Sequence, residues 1–239
     1  MLKSISIAWS EGVADHESAT LLATVQRTLL SLYLRLPSAL EAPPIEVRAF
    51  GNWVIPALAP DSPYWGVQWY VESAYDAVLE QVIAPAFLEL VRTEPWQTSD
   101  PHLDIALLDQ DLTDFPAPLA HLRRDRYTVG TSLPGTAAVL SVGRIRRLGT
   151  SASQRTALAR LVRHGLGHVL GVPSFARPAH TVRQGLELHC ANRCAMRGAS
   201  SVGELVALAV DEAELGWPFC SECSQELLDI LVKQSFNWN

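Results

Sequence analysis

The chain has 239 residues, of which 48% are hydrophobic and only 18% are charged. This composition supplies enough apolar side chains for one or two domains with a sizeable core. The net charge of −6 gives no basic excess to attract nucleic acid or anionic lipid, so we expect neither as a partner. Residues 1–18 lack the apolar region and cleavage site of a secretory signal, and no run of about 18 apolar residues predicts a membrane span. The sequence therefore predicts a soluble, cytoplasmic protein.

Hydrophobic periodicity predicts strands alternating with helices along the first half of the chain. The predicted strands are 3–9, 45–50, 104–109 and two within 127–145 around Leu133-Pro134-Gly135. The predicted helices are 17–36, which ends before Pro37, and 71–92, with a break or kink before Pro85. Residues 51–66 are expected to form a loop. This order predicts an α/β (α+β) fold with a mixed sheet flanked by helices.

A further helix is predicted at about 152–170, with Ser151 as its N-cap and Gln154 as the capping-box partner. Gly171 is the expected C′ residue, where a left-handed conformation ends a helix. The chain is expected to be irregular to about residue 188 and then helical at about 202–215 and 222–234. A boundary near Ser174 would divide an amino-terminal subdomain, 1–173, from a carboxy-terminal one, 174–239.

The four cysteines all lie beyond residue 189 and form two closely spaced pairs. Cys190 and Cys194 make a CxxxC pair, and Cys220 and Cys223 make a CxxC pair. In a reducing cytosol, two such pairs favour a structural zinc site with four thiolate ligands over disulfides. The alternative is two buried pairs of free thiols without a metal.

The predicted helix at 152–170 carries His164-Gly-Leu-Gly-His168. Histidines four residues apart lie about 40° apart around a helix, so both imidazoles can reach one metal ion. The spacing is that of the HExxH zinc-protease motif, in which the glutamate is the general base. In this chain Gly165 occupies the position of the glutamate, so the metal-binding half of the motif is present without its acid/base half.

The order of residues from His164 to Cys223 resembles that of the archaemetzincins, a branch of the metzincin zinc metallopeptidases. The family pattern is HExxHxxGxxHCxxxxCxM followed by CxxC, and the segments DIALLDQDLTD and TAAVLSVGRIRR extend a weaker similarity upstream. The resemblance implies a metzincin-like fold: a mixed twisted sheet, a zinc helix and a carboxy-terminal helical zinc-knuckle subdomain. It implies two zinc ions, a catalytic and a structural one. The residues that it assigns are His164, His168 and His189 for the catalytic zinc, Cys190, Cys194, Cys220 and Cys223 for the structural zinc, and Met196 for the Met-turn.

Three differences separate this sequence from the family pattern. Gly165 replaces the glutamate, and about 15 residues, 174–188, are inserted before His189. The first cysteine pair is also separated by three residues where the family has four. The inserted segment contains His180, which is the alternative third histidine ligand.

Without the glutamate we expect a zinc-binding protein with little or no peptidase activity, which binds or regulates a peptide or protein ligand. A second hypothesis is an active metallopeptidase with a substitute base. Glu187 is the nearest candidate, because in an extended segment its side chain would point to the same side as that of His189. A third is a structural protein in which only the four-cysteine site holds zinc.

Overall fold

The computed structural model describes residues 4–37, 44–52, 66–114, 126–185 and 187–236, and the structural statements below concern these ranges. Most of the loop predicted at 51–66 therefore lies outside the described residues. The strands are β1 (Ile5–Trp9), β2 (Val47–Gly51), β3 (Tyr75–Asp76), β4 (Gln81–Ile83), β5 (Leu103–Leu108), β6 (Leu112–Thr113), β7 (Gly130–Leu133), β8 (Ala137–Ser141), β9 (Thr181–Gln184) and β10 (Glu187–Cys190). The helices are α1 (Asp15–Tyr33), α2 (Val67–Ala74), α3 (Ala84–Arg92), α4 (Trp96–Ser99), α5 (Ser151–Val169), α6 (Val202–Ala213) and α7 (Ser221–Phe236).

Five strands form a mixed central sheet in the order β2-β1-β5-β8-β7. The pairs among β2, β1, β5 and β8 are parallel, whereas β7 pairs with β8 in the antiparallel direction. All five residues of β8 are buried, as expected for a strand covered on both faces. This architecture confirms the predicted α/β fold and leaves β2 and β7 as the edge strands of the sheet.

The prediction of a helix over residues 71–92 is wrong. Its residues form α2 and α3, with the short strands β3 and β4 between them. Strand β4 pairs with β3 and also with the distant strand β6, and these pairings interrupt the helical pattern. Pro85 stands in the first turn of α3, where its missing N–H is tolerated, so it helps to start a helix instead of kinking one.

Two smaller predictions in the second half also need correction. Residues 181–190 are not irregular, because β9 and β10 pair as an antiparallel hairpin within and beyond the inserted segment. The N-cap of α5 is Thr150 and not Ser151, since the Thr150 hydroxyl accepts a hydrogen bond from the amide of Ser153. Gly171 has a φ of +87°, as expected for the residue that ends this helix.

Helix α5 contacts the central sheet through β7 and β8 and also packs against α1 and α6. The main apolar cluster joins the sheet and α5 to residues beyond the predicted boundary near 174, including Met196, Leu205 and Leu227. The boundary itself stays a prediction. None of the described helices combines the length and the apolar character that a bilayer span needs.

Close packing of α5 depends on Gly167. A Cβ atom added at this position would collide with the Sδ atom of Met196, which is completely buried beneath the helix. An interior helical glycine costs about 1 kcal/mol relative to alanine. Here that cost is offset by the close approach of Met196 to the helix backbone.

We expect Gly167→Ala to destabilise the protein by about 1–3 kcal/mol, because the added methyl group overpacks the contact with Met196. The matched control is Gly203→Ala in α6, where the nearest heavy atom to an added Cβ lies 3.9 Å away. The control should be neutral or stabilising by up to about 1 kcal/mol. Denaturant unfolding of the zinc-loaded proteins measures both values. Equal effects of the two substitutions would contradict the packing argument.

Candidate metal centres

Three histidines that are distant in the sequence converge on one point. His164 and His168 lie on successive turns of α5, and His189 lies on β10. One ring nitrogen from each residue lies within 4.8 Å of the other two, and the Nε2 atoms of His164 and His168 are 3.1 Å apart. His189 is only 5% exposed. The described residues thus bring together the three predicted ligands of the catalytic-type centre.

Hydrogen bonds outside the cluster orient the rings from α5. The Nδ1 atom of His164 donates to the carbonyl oxygen of Ala195 over 2.8 Å, and His168 makes a backbone hydrogen bond with Val172. The Ala195 contact leaves Nε2 of His164 facing the cluster, as metal-binding histidines require. Burial lowers the pKa of His168 to about 4 and that of His164 well below its usual value, and the neighbouring imidazoles act in the same direction. Both rings are therefore neutral, which is the form that binds metal.

His180 does not join the three histidines. Its Nδ1 atom lies 2.9 Å from the Glu222 carboxylate, and the side chain is 60% exposed. The structure therefore places His189, and not His180, in the position of a third ligand.

The Glu187 carboxylate lies beside the histidine cluster. Its Oε2 atom is 3.4 Å from Nε2 of His189, and its Oε1 atom is 3.9 Å from Nε2 of His168. Oε1 also accepts hydrogen bonds from the amide and the hydroxyl of Ser132, on the edge strand β7. Burial favours the protonated carboxyl, but the hydrogen bond with His189, the electrostatic interaction with the nearby His168 ring and the hydrogen bond from Ser132 together hold the pKa of Glu187 below its usual value. The carboxylate is therefore ionised and fixed in place.

Gly165 lies against the central sheet. A Cβ atom at this position would be 3.0 Å from Cδ2 of Leu140 and 3.5 Å from Cβ of Ala138. Both neighbours belong to β8 and are buried. The absence of a side chain at 165 therefore allows α5 to lie close to the sheet.

An open cleft of about 650 Å³ leads to the histidine cluster. It is bordered by β7 and by the hairpin, and it exposes His164, Glu187 and His189 to the solvent side. This volume falls in the range of ligand-binding clefts. A groove of similar size between α1 and α5 contains none of these three residues.

The four cysteines form a second cluster. Their sulfur atoms all lie within 4.8 Å of one another, and none of the four is in a disulfide. The four residues are Cys190, Cys194, Cys220 and Cys223. Four thiols with this spacing suit zinc in a closed tetrahedral shell. Because Cys190 directly follows His189, strand β10 contributes to both clusters.

Arg177, from the inserted segment, covers the cysteine cluster. Its guanidinium lies 3.2 Å from the sulfur of Cys223 and 3.6 Å from that of Cys190, and its side chain is 5% exposed. The Glu226 carboxylate accepts two of its N–H groups, which fixes the orientation of the guanidinium. A cation in this position would offset the excess negative charge if the four sulfur atoms bound one divalent metal as thiolates.

Several of these polar contacts were not predicted from the sequence. Ser132 lies 55 positions from Glu187 in the chain, and Arg177 lies 46 positions from Cys223. A third cluster, Glu94, His102 and Asp104, also brings three possible metal ligands within 4.8 Å. The only sequence signal for this cluster is that His102 and Asp104 flank the first residue of β5.

The sheet, the helix bearing two histidines and the two donor clusters define an α/β fold with two candidate metal centres. This fold is similar to that of archaemetzincin crystal structures. The chain is similar to the crystal structure of archaemetzincin from Methanopyrus kandleri, with a TM-score of 0.58, 20% identity and coverage of 96% of this chain and 95% of that one. It is also similar to archaemetzincin from Archaeoglobus fulgidus, solved in complex with malonate, with a TM-score of 0.54, 19% identity and coverage of 93% and 99%. No protein-family profile and no curated protein sequence matches the chain. The similarity confirms the predicted fold.

We expect Arg177→Met to weaken zinc retention at the cysteine cluster, because the substitution removes the cation that contacts two of the sulfur atoms. Loss of an outer-shell partner typically weakens metal binding by about 10–100-fold. The measurement is the rate at which the four thiols become reactive toward a disulfide reagent in the presence of a chelator. Arg183→Met is the matched control, since Arg183 is exposed and its Nε donates to the carbonyl oxygen of Gly185 within the same hairpin. Equal rates in the two variants would show that Arg177 has no such role.

Proposed function

We propose that this protein is a zinc-dependent peptidase in which Glu187 replaces the glutamate missing at position 165. The observation that carries the proposal is the position of the Glu187 carboxylate, 3.4 Å from Nε2 of His189 at the end of an open cleft. This geometry favours the substitute-base hypothesis over the inactive zinc protein that Gly165 alone suggests.

The residues present fit two zinc ions. His164, His168 and His189 would hold one of them, and three imidazoles are the donor set of a zinc site with an open fourth position. Cys190, Cys194, Cys220 and Cys223 would hold the other in a closed shell. When bound at an open site, zinc polarises a carbonyl group and makes a water molecule more acidic.

Glu187 would move the proton during peptide hydrolysis. Its Oε2 atom faces the cluster and would accept a proton from the attacking water, then return it to the leaving amine. Ser132 holds Oε1 through its amide and its hydroxyl, so the carboxylate stays oriented while Oε2 gains and loses the proton. The supporting contact is therefore provided by the edge strand and not by the helix.

An extended peptide segment is the ligand that this cleft suits best. The cleft runs along β7, an edge strand of the central sheet. The Ser132 amide of this strand already donates to Glu187, so an extended peptide would pair with the remaining backbone groups of the edge. We therefore propose a peptide or an extended protein segment as the substrate.

The second candidate function is that of a zinc protein that binds a peptide or protein ligand without cleaving it. The distances from Glu187 to two of the histidines favour this candidate if the carboxylate becomes a fourth metal ligand. A histidine and carboxylate shell of four ligands would be closed, as in structural zinc sites. The two candidates differ in whether zinc binding at the histidine cluster depends on Glu187: it does for a fourth ligand and does not for a general base.

Substitution of Glu187 separates the two candidates. For a general base, Glu187→Gln should reduce peptide hydrolysis by about 10²–10⁴-fold while zinc content stays unchanged. For a fourth ligand, the same variant should lose zinc from the histidine cluster, and the wild-type protein should not hydrolyse peptides. Turnover of a fluorogenic peptide library and metal analysis of the same samples measure both properties. Glu72→Gln, at an exposed position on α2, is the control.

We expect Gly165→Glu not to increase peptidase activity. The new side chain would begin 3.0 Å from Leu140 and would push α5 away from β8, which displaces His164 and His168. Activity and thermal stability should both fall relative to wild type. The same substitution in a Glu187→Gln background tests whether a carboxylate on the helix can replace the one on the hairpin. Full turnover of either variant would refute this packing argument.

A further inference from the structure

Glu94, His102 and Asp104 form a buried cluster that the proposed peptidase chemistry does not use. Nε2 of His102 lies 3.1 Å from Oε1 of Glu94 and 3.4 Å from Oδ1 of Asp104. Glu94 follows the end of α3, and His102 and Asp104 lie at the beginning of β5. The cluster therefore joins a helix end to a central strand of the sheet.

In each residue of this cluster, the polar atom that does not face the other two residues forms a hydrogen bond with a neighbouring group. Such outer hydrogen bonds fix the rotamer and the tautomer of metal ligands. The three contacts are His102 Nδ1 with the carbonyl oxygen of Asp100 at 2.6 Å, the Tyr70 hydroxyl to Oε2 of Glu94 at 2.7 Å, and Nε2 of Gln97 to Oδ2 of Asp104 at 2.7 Å. Consequently Nε2 of His102, Oε1 of Glu94 and Oδ1 of Asp104 are the atoms directed toward a common point.

The cluster is largely buried and adjoins a small cavity. Glu94 and His102 are each 3% exposed, whereas the side chain of Asp104 is 16% exposed. The cavity has a volume of about 40 Å³ and is lined by all three residues and by mostly apolar side chains, such as Phe87 and Val91. This volume exceeds the roughly 10–15 Å³ that a water molecule requires, so an ion with a bound water could be accommodated.

We propose that Glu94, His102 and Asp104 bind a divalent metal ion, as a third metal site separate from the histidine and cysteine clusters. One imidazole and two carboxylates suit manganese, iron or zinc, and their two negative charges balance the charge of a divalent ion. The bound ion would link the end of α3 to β5 and would stabilise the fold. This inference does not depend on the proposed peptidase activity.

A proton is the competing occupant of the same site. Burial opposes the charged imidazole, but hydrogen bonds to Asp104 and Glu94 outweigh this effect and raise the pKa of His102 to about 10. Without a metal, His102 therefore carries the proton that links the two carboxylates. A metal ion and a proton at this site predict different metal contents of the protein. They also predict different responses of metal binding to substitution of the carboxylates.

The experiment measures binding of Mn²⁺ and Zn²⁺ to the purified full-length protein whose other centres have been loaded with zinc. In alkaline buffer, which increases the unprotonated fraction of His102, we expect one Mn²⁺ per chain by electron paramagnetic resonance when manganese is added. In a separate sample to which zinc is added, we expect one additional zinc by metal analysis. Glu94→Gln and Asp104→Asn should weaken this binding by more than about tenfold. His16→Gln, which changes an exposed histidine on α1, should not affect it.

The outcomes decide between a metal and a proton. Absence of an additional metal in the wild type, or binding that is unchanged in both carboxylate variants, would overturn the proposal. If both variants fail to fold, Tyr70→Phe keeps all three ligands and should still weaken binding by about tenfold, because it removes an outer hydrogen bond. Loss of Mn²⁺ binding in a His164→Gln variant, with the cluster at Glu94 intact, would assign the ion to the other histidine site and also refute the inference.

Discussion

Helix α5 packs closely against strand β8 and against Met196, and these two contacts constrain the position of the histidine site. Gly165 allows the helix to approach Leu140 on β8, and Gly167 allows Met196 to pack directly beneath the backbone. Protein interiors are packed densely enough that an added methyl group at either position must displace something. The helix therefore sits between the sheet and the Met196 segment, and this placement fixes where His164 and His168 point. A side chain at position 165 would crowd Leu140, so the glycine at this position and the close approach of the helix to β8 are related features.

Strand β10 combines functions that would otherwise require separate elements. Alternation along a strand directs Glu187 and His189 to one side and Cys190 to the other. The strand therefore places a carboxylate and an imidazole at the histidine cluster while its last residue belongs to the cysteine cluster. Arg177 and Glu226 add a second connection between the inserted segment and α7. Because functional groups are positioned most accurately by rigid elements, zinc bound at the cysteine cluster, as we propose, would also hold His189 and Glu187 in place.

The features that could be predicted from the sequence are those encoded by local patterns. Apolar periodicity predicted the central strands and α5, and the spacing of His164, His168 and the cysteines predicted which residues converge. The break of the predicted helix at 71–92 could not be seen, because it results from pairing of β4 with β6, whose position is set by the tertiary fold. The hairpin at 181–190 was missed because β9 is largely exposed and lacks an apolar alternation. Contacts of Ser132, Arg177 and the cluster at Glu94 join residues that no spacing rule relates.

A carboxylate on a hairpin differs physically from one on the zinc helix. On the helix, the base and two metal ligands share one rigid backbone, so their relative positions follow from helical geometry alone. In this protein the position of Glu187 depends on tertiary contacts, namely the pairing of β10 with β9 and the two hydrogen bonds from Ser132. Local opening of the hairpin would separate the carboxylate from His164 and His168 without unfolding α5. If Glu187 is the base that we propose, pairing of β10 with β9 would therefore decide whether the base and the proposed metal ligands are assembled at the same time.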